Sequence, residues 1–373
     1  MKPRNLKKAF FEEIFFVPHA HFDLSWLGTP AECEESNNRI IAAALDILER
    51  EKEYEYSIEA VRPVERFLAA HPDQKGRVGK FLAEGRLEIG GLYVDVACDY
   101  CFDESLARNF ILGRQYLEKE FSYSPELARE EDVLSHFAQA PQLMRLSGMK
   151  YFKITRGPKG VYLWEGPDGS RVPTALFEYG DSFHFQLGVD PEKTEKNLPF
   201  YLDWVSKQLV APLSSLVILD GDDCTMPNSN LIGIVRAWNE RHESPKLRIS
   251  GLADYLRSIP EDGMKQIKGD IPGVWGFVIM FEREAAAKMW EAEVVLTAAE
   301  KFDSFSAIEN KSAAASLKTG WKLLLTAQDH NWGGKNPSKH GPAADAEKVV
   351  MLDAAVHSAS LVLDAALANI SSR

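Results

Sequence analysis

Apolar runs of strand length alternate with segments of helical periodicity up to about residue 275. The candidate strands lie at 14–18, 87–94, 150–154, 173–177, 216–219 and 247–249. Segments with apolar residues at helical spacing separate most of them, at 36–52, 104–119, 138–146, 196–209, 231–239 and 252–259. Parallel strands need a crossover connection, which is usually a helix. The alternation therefore predicts an α/β fold with a largely parallel sheet.

The chain changes character after about residue 275. Three long, alanine-rich segments with helical periodicity follow at 282–304, 313–327 and 343–368, with no candidate strand between them. Consecutive amphipathic helices of this kind pack together as a bundle. We therefore predict two domains, an α/β domain at residues 1–275 and a three-helix bundle at residues 276–373.

The charge of the chain restricts its partners. The 373 residues carry a formal net charge of −12, which repels both phosphate backbones and anionic lipid surfaces. No uninterrupted apolar run reaches the length of about 18 residues that a membrane-spanning helix needs. We therefore expect neither a nucleic acid nor a membrane as partner.

Cysteine usage and the N-terminal segment indicate a reducing compartment. The four cysteines include a C-x-x-C pair, Cys98 and Cys101, but no second pair follows at zinc-finger spacing. We therefore expect reduced thiols. Glu12 and Glu13 interrupt the first apolar run, which does not fit the unbroken apolar core of a signal peptide. These features predict a cytoplasmic protein.

A group of metal-binding residue types follows the first candidate strand directly. Strand side chains alternate between faces, so His19, His21 and Asp23 share one face if the extended conformation continues. Imidazole nitrogens and carboxylate oxygens are ligands that zinc prefers. The carboxyl ends of strands are also where α/β folds bind their ligands. The motif therefore predicts a metal site, although three polar loop residues bonded to the backbone would give the same pattern.

One strand cannot supply all the ligands of a tetrahedral ion, so other loops must contribute. Asp132 precedes the helical segment 138–146, and His330 follows the apolar run 323–325. By itself, Asp132 could simply be a carboxylate favoured by a helix N-terminus, and His330 a histidine at a helix end.

Six ordered segments together resemble the N-terminal part of the family 38 glycoside hydrolases, the zinc-dependent α-mannosidases. They are HAHFDLSWL (19–27), GGLYV with ESLAR (90–94, 104–108), Asp132 nine residues before Pro141-Gln142, LWEGPDGSR (163–171), GDD (221–223) and QDHN (328–331). The resemblance extends from residue 14 to about residue 340.

The resemblance implies a seven-stranded β/α barrel followed by a helical bundle, and hydrolysis of α-mannosides with retention of configuration. It assigns zinc to His21, Asp23, Asp132 and His330, with His19 behind them.

The same resemblance suggests catalytic and substrate-binding residues. Asp132 would be the nucleophile, and Asp223 is the candidate acid/base, whose pKa the neighbouring Asp222 would raise. A retaining glycosidase needs such a pair of carboxyl groups about 5–5.5 Å apart. Trp26 would stack on the sugar ring. Sugar hydroxyls would bond to Arg156, Tyr179 and Asn331, and Arg156 and Tyr179 could bond to Asp132 instead.

The chain also departs from the family pattern. Arg129-Glu130-Glu131 replaces an aromatic-and-proline approach to the nucleophile, Tyr93 stands for tryptophan, and Asn331 for aspartate. Extra charges beside Asp132 indicate either a changed substrate or lost catalysis. The large C-terminal β domains of the family are not in this sequence, so the sequence supports zinc binding more strongly than mannosidase activity.

Two other functions remain open. A metal-dependent deacetylase also uses aspartate and histidine ligands on a β/α barrel, but it activates a metal-bound water and forms no glycosyl-enzyme. A non-catalytic sugar-binding subunit, completed by a partner chain, is the second. The sequence does not decide whether the chain forms a homo-oligomer.

Overall fold

The computed structural model describes residues 11–98, 101–133, 135–272, 283–306, 313–332 and 341–372. Ten strands occur in these ranges: β1 Glu13–Pro18, β2 Tyr56–Ile58, β3 Leu87–Ile89, β4 Leu127–Arg129, β5 Tyr151–Ile154, β6 Gly160–Glu165, β7 Arg171–Leu176, β8 Ser215–Asp220, β9 Lys246–Ile249 and β10 Lys265–Lys268. Their mixture with helices confirms the predicted α/β class.

The helices of the described ranges fall into two groups. Those interspersed with the strands are α1 Pro30–Arg50, α2 Val61–Ala70, α3 Lys75–Ala83, α4 Asp103–Phe121, α5 Ala140–Leu146, α6 Asp181–His184, α7 Pro191–Ser206, α8 Leu231–Arg241 and α9 Leu252–Ser258. The helices that follow are α10 Arg283–Ser306, α11 Ala313–Ala327 and α12 Gly341–Ser371. All three pairs among α10, α11 and α12 are in contact, as the bundle prediction requires.

The strands form three sheets, in the orders β8-β1-β9, β2-β3 and β10-β6-β7-β5-β4. A parallel bridge between His19 and Ser57 joins the first sheet to the second, and a hydrogen bond from Gly91 N to Leu127 O joins the second to the third. Seven strands are thereby linked in the order β8-β1-β2-β3-β4-β5-β7. Within the described ranges, no strand pair joins β7 to β8.

The third sheet contains a hairpin that the sequence analysis did not predict. β6 runs antiparallel to β7, with Gly160 opposite Leu176, and β10 runs parallel to β6. The sheet is therefore mixed rather than wholly parallel.

The first strand lies at the centre of its sheet and carries the histidine motif to the edge. All five residues from Ile14 to Pro18 are buried, and β1 pairs in parallel with β8 and β9. Beyond the strand, bridges from His19 to Ser57 and from His21 to Asp223 keep the chain extended. The extended conformation that the alternation argument requires therefore continues through His21, whereas a common face for His19, His21 and Asp23 stays a prediction.

The bundle and the α/β part share one apolar core. A single cluster of buried side chains includes Ile40 and Phe67 from α1 and α2 together with Leu296 and Trp321 from α10 and α11. The predicted domain boundary at residues 275 and 276 lies outside the described residues, so the two-domain division stays a prediction.

The last helix has an unusual composition. By length and apolar content alone, α12 could cross a membrane. The criterion of an uninterrupted apolar run misses this helix because polar residues interrupt it. Its buried residues recur at helical spacing; they are Gly341, Ala344, Lys348, Leu352, Ala355, Ala359 and Ala366. This stripe faces α10 and α11, which α12 contacts.

Candidate metal and sugar site

Three side chains from distant parts of the chain converge at the carboxyl end of β1. His21 Nε2 lies 3.2 Å from His330 Nε2 and 3.3 Å from Asp23 Oδ1, and the distance from His330 Nε2 to Asp23 Oδ1 is 3.5 Å. His21 and Asp23 are almost fully buried, and His330 is 8% exposed. Two imidazole nitrogens and a carboxylate oxygen thus face one point.

Backbone pairing brings His330 to this point. The chain leaving α11 runs beside residues 95–97, where Val96 and Asp329 form an antiparallel bridge. Ala97 N donates to Gln328 O at 2.9 Å, and His330 N donates to Asp95 O at 3.2 Å. The bundle therefore supplies one of the three converging side chains.

Carboxylates lie beside the outer nitrogens of both histidines. His21 Nδ1 lies 3.0 Å from Glu59 Oε2. His330 Nδ1 lies 3.3 Å from Asp329 Oδ2, close enough for charge interaction but outside hydrogen-bond geometry. Lys348 in turn pairs with Asp329 at 3.0 Å. A carboxylate on the outer nitrogen fixes the tautomer of a metal-ligating histidine and directs its other nitrogen at the ion.

The cluster fits a zinc ion. Ligand atoms at zinc–nitrogen distances of about 2.0–2.1 Å in a tetrahedron lie about 3.3–3.4 Å apart. The three distances of 3.2, 3.3 and 3.5 Å match this spacing. Asp23 Oδ2 is also buried without a hydrogen-bond partner. Such an atom is costly unless a cation or donor satisfies it.

The protonation equilibria of the cluster agree with a cation site. Burial lowers the pKa values of His21 and His330, but Glu59 and Asp23 beside His21 and Asp329 beside His330 outweigh it. Both pKa values therefore lie well above the usual 6.5. Without a metal, the carboxylates hold protons on the histidines, and a metal ion would release them.

His19 takes no part in the cluster. Burial and the nearby Arg129 lower the pKa of His19 to about 3, so this imidazole is neutral. Its Nε2 lies 3.2 Å from Tyr179 O, and its Nδ1 lies 3.3 Å from an Arg129 nitrogen. His19 therefore contacts Tyr179 and Arg129, and its place behind the zinc ligands stays a prediction.

Asp132, the expected nucleophile and fourth ligand, is bound by Arg156. Arg156 Nε donates to Asp132 Oδ1 at 2.8 Å, and a second guanidinium nitrogen contacts the same oxygen. Among the described residues, the groups with ligand atoms mutually within 4.8 Å do not include Asp132. The roles of Asp132 as ligand and nucleophile therefore stay predictions. Arg156 was expected to contact a sugar hydroxyl or Asp132, and it contacts Asp132.

Tyr179 connects the two candidate catalytic carboxylates with the cluster. Its hydroxyl donates to Asp223 Oδ1 at 2.9 Å, and its ring centroid lies 5.0 Å from that of His21. The guanidinium carbon of Arg156, which holds Asp132, lies 5.6 Å from the same ring centroid. Asp223 thus contacts the tyrosine beside the candidate metal site directly, whereas Asp132 is connected to it through Arg156.

The environment of Asp223 suits a general acid. Burial raises its pKa above the usual 3.8, and the charge of Asp23 adds to this effect. The charge of His21 and the hydroxyl of Tyr179 oppose it, and Asp222 contributes a smaller upward shift. The sequence analysis attributed a raised pKa to Asp222 alone, but burial is the larger cause.

The other two predicted sugar contacts differ in what surrounds them. Trp26 is half-buried in the loop after Asp23, and its stacking role stays a prediction. Asn331 Nδ2 donates to Asp23 Oδ1 at 2.7 Å, and its Oδ1 accepts from Leu24 N at 2.8 Å. Asn331 therefore positions a candidate metal ligand, Asp23, and its contact with sugar stays a prediction.

Side chains in the core neutralise the extra charges beside Asp132. Arg129 Nε donates to Glu131 Oε1 at 2.8 Å, and Lys153 pairs with the other oxygen of Glu131. Glu130 pairs with His136 at 2.6 Å. Arg129 and Glu131 are fully buried and Glu130 nearly so, so these charges face inward.

Glu59 and Asp95 are two buried carboxylates that the sequence analysis missed. They belong, with His21, to a second group whose ligand atoms lie within 4.8 Å of one another. Glu59 directly follows β2, a strand of three residues that is too short to show periodicity. Asp95 follows the GGLYV segment, which offered a signal that the analysis did not use.

Comparisons with known proteins identify the family. The family model of the glycosyl hydrolases family 38 N-terminal domain matches residues 12–275. Human alpha-mannosidase 2C1 is 27% identical over 181 residues, which are 46% of this chain and 17% of the relative. Alpha-mannosidase G of Dictyostelium discoideum is 22% identical over 352 residues, 87% of this chain and 31% of the relative.

A solved structure extends the similarity to nearly the whole fold. The alpha-mannosidase of Enterococcus faecalis V583 superposes with a TM-score of 0.82 at 18% identity, covering 97% of this chain and 43% of that one. The chain spans less than a third of the length of the two curated relatives. Because the family model covers most of its length, the chain belongs to glycosyl hydrolase family 38.

Proposed function

We propose that this protein is a zinc-dependent glycoside hydrolase that cleaves α-mannosides or related sugars with retention of configuration. The observation that carries the proposal is the arrangement around Tyr179. Asp223 accepts a hydrogen bond from Tyr179, the guanidinium of Arg156 that contacts Asp132 lies over the tyrosine ring, and the ring of His21 lies beside it. The names of the related alpha-mannosidases support the choice of substrate.

The residues of the chain would divide the chemistry among them. His21, Asp23 and His330 would hold zinc, with Asp132 as a further ligand. Bound zinc would supply Lewis-acid binding of sugar hydroxyls. Arg156 holds one oxygen of Asp132, which orients the carboxylate for attack on the anomeric carbon.

Asp223 would transfer the protons. In the first step it gives its proton to the departing oxygen as the bond from Asp132 to the sugar forms. In the second step it takes a proton from the water that displaces Asp132. The raised pKa of Asp223 keeps a larger share of this group protonated at neutral pH.

The finer fold and the location also belong to this proposal. We infer that the seven strands linked as β8-β1-β2-β3-β4-β5-β7 correspond to the irregular β/α barrel implied by the family. The cluster then lies at the carboxyl ends of barrel strands, where such barrels carry their sites. A cytoplasmic location remains part of the proposal.

Metal analysis combined with an aryl α-mannoside assay tests this function. We expect His21→Ala and His330→Ala to lose zinc, and Asp223→Asn to keep zinc while turnover falls by about 10²–10⁴-fold. Asp222→Asn is the matched control, because an amide oxygen can still accept the hydrogen bond from Asp223 N. Since Asp222 contributes only the smallest upward shift to the pKa of Asp223, turnover of this variant should stay close to that of the wild type. Full activity of Asp223→Asn would remove the acid/base assignment.

A slowly turned-over fluorosugar separates this proposal from the alternatives. A retaining glycosidase should accumulate a glycosyl ester on Asp132, which mass spectrometry of the proteolysed protein detects. A deacetylase would bind zinc and form no such adduct. A non-catalytic subunit would bind sugar without adduct or turnover.

A further inference from the structure

A buried lysine from the last bundle helix reaches the segment that carries His330. Of the buried residues of α12, Lys348 is the charged one, and it is 2% exposed. The others are glycine, alanine and leucine, which pack within the bundle without a charge. A buried ammonium group is costly unless a carboxylate and further acceptors satisfy it. The contacts that Lys348 makes outside its own helix must therefore explain its position.

Lys348 binds the residues on both sides of His330. Its Nζ donates to Asp329 Oδ1 at 3.0 Å and to Asn331 O at 2.9 Å. Asn331 N donates to the same oxygen of Asp329 at 3.0 Å. One ammonium group therefore holds the segment 329–331 from the side of the bundle.

Each of the two residues that Lys348 holds lies against a candidate zinc ligand. Asp329 Oδ2 lies 3.3 Å from His330 Nδ1, the outer nitrogen of that ligand. Asn331 Nδ2 donates to Asp23 Oδ1 at 2.7 Å. Lys348 is therefore connected to both His330 and Asp23 through one intervening residue each.

We propose that Lys348 is a positioning residue of the zinc site, which keeps His330 and Asp23 in place for the metal through the residues on either side of His330. The inference rests on the proposed zinc binding. It makes α12 part of the site, although none of the candidate ligands lies on this helix. The competing explanation is that the ion pair of Lys348 with Asp329 only attaches α12 to the segment after α11.

Lys348→Met separates the two explanations, because methionine keeps an apolar stem but removes the charge and the donors. Zinc affinity is measured by competition with a chromophoric chelator at fixed pH, at a temperature where circular dichroism shows the variant to be folded. Losing a partner that orients a metal ligand costs about 10–100-fold in affinity, and we expect a loss in this range. The visible absorption bands of bound Co²⁺ should also shift. A purely structural ion pair would lower stability and leave the metal affinity of the folded protein unchanged.

Lys288→Met is the matched control. Lys288, on α10, forms an exposed ion pair with Asp353 of α12, so it also links the last helix to a neighbour through a lysine and an aspartate. Neither residue adjoins a candidate ligand in the sequence. This variant should retain the zinc affinity of the wild-type protein. An equal loss in both variants would overturn the proposal, because the effect would then come from the bundle as a whole.

The outcomes distinguish this inference from the proposed function. If the wild-type protein binds no zinc, both are overturned. If it binds zinc and Lys348→Met binds within about threefold of wild type, Lys348 has only a structural role, and the other assignments stand. Asp329→Asn covers a failure of the methionine variant to fold. It removes the carboxylate through which Lys348 acts on His330, so an affinity within about threefold of wild type would again overturn the proposal.

Discussion

The hydroxyl of Tyr179 is one of the groups that set the pKa of the candidate acid. Tyr179 is largely buried, and its hydroxyl donates to Asp223 at 2.9 Å. A hydrogen bond to the charged form of a carboxyl lowers its pKa, which here opposes the upward shift caused by burial. The pKa of Asp223 is thus a balance that one residue can change.

Tyr179→Phe should shift the pH profile of hydrolysis. Loss of the donor raises the pKa of Asp223 further, so the acid stays protonated to higher pH. The alkaline limb of kcat/KM should therefore move upward, by about 0.5–1 pH unit for a hydrogen bond worth about 1 kcal/mol. The profile is measured with an aryl α-mannoside.

Tyr162→Phe provides the control for this experiment. Tyr162 lies on β6, and its hydroxyl donates to Pro158 O at 2.7 Å. This hydroxyl has no hydrogen bond to either candidate catalytic carboxylate. Removing it should lower stability without moving the pH profile. A downward shift of the alkaline limb in Tyr179→Phe would contradict the role assigned to Asp223.

Backbone strain marks two residues beside the site. Arg156 and Cys224 adopt positive φ values of 61° and 48°. Non-glycine residues rarely occupy this region, at a cost of order 1 kcal/mol or more, and such residues cluster at functional sites. In this chain, Arg156 follows β5 and contacts Asp132. Cys224 follows β8 and is the neighbour of Asp223 in the sequence.

At the scale of elements, α4 positions the loop that carries Asp95. Asn109 on this helix holds the loop through Val94, accepting from its N at 3.0 Å and donating to its O at 2.9 Å. One turn further, Gly113 lies against the loop backbone. A Cβ at Gly113 would lie 2.3 Å from Gly91 O and 2.7 Å from Tyr93 N. This close approach requires a residue without a side chain.

Gly113→Ala should destabilise the fold although alanine is the better helix former. Helix propensity favours alanine by about 1 kcal/mol, but the overlap with backbone atoms should cost about 2–4 kcal/mol. Denaturant unfolding measures the net loss. Because the loop must move, zinc affinity should also fall.

Gly233→Ala is the matched control for the helix. Gly233 lies on α8 with no atom within 4 Å of an added Cβ, so alanine should stabilise by about 0.5–1 kcal/mol. Equal effects of the two substitutions would show that the helix–loop contact is not tight.

At the scale of the whole molecule, the bundle caps a helix of the α/β part. α4 has no side-chain cap of its own. Glu293, on α10, accepts from Phe102 N and Ser105 N at 3.0 Å each, and from Ser105 Oγ at 2.5 Å. A carboxylate at a helix N-terminus satisfies free N–H groups and the positive end of the helix dipole. This contact ties the two parts together.

Glu293→Ala should therefore destabilise the α/β part from outside it. Two buried N–H groups and a hydroxyl would lose their acceptor, at a cost of about 2–4 kcal/mol. The free energy of unfolding measures the total, and hydrogen exchange at Phe102 and Ser105 localises it. Glu291→Ala, exposed on the same helix, should change stability by less than about 0.5 kcal/mol. Unchanged exchange at Ser105 would argue against the cap.

Most of the elements recovered from the sequence are long enough to show a period. Strands β1, β5, β7, β8 and β9 and the three bundle helices lie close to their predicted positions. The elements that were not predicted are β2, β4, β6, β10, α2, α3 and α6, and the strand predicted at 87–94 is limited to β3. β2 and β4 have only three residues each, which cannot display alternation, and the pairing that makes them strands is made with distant segments.

For the site, the sequence alone determined the residue types and their local order. His19, His21 and Asp23 follow a buried strand, and the ordered motifs identify Asp132, Asp223 and His330 as candidates. Only the tertiary structure decided which of them meet. The contact between His21 and His330 spans 309 positions, and that between His21 and Glu59 spans 38. Contacts of this range, like the contact of Arg156 with Asp132, arise from packing, because local propensity acts over only a few residues.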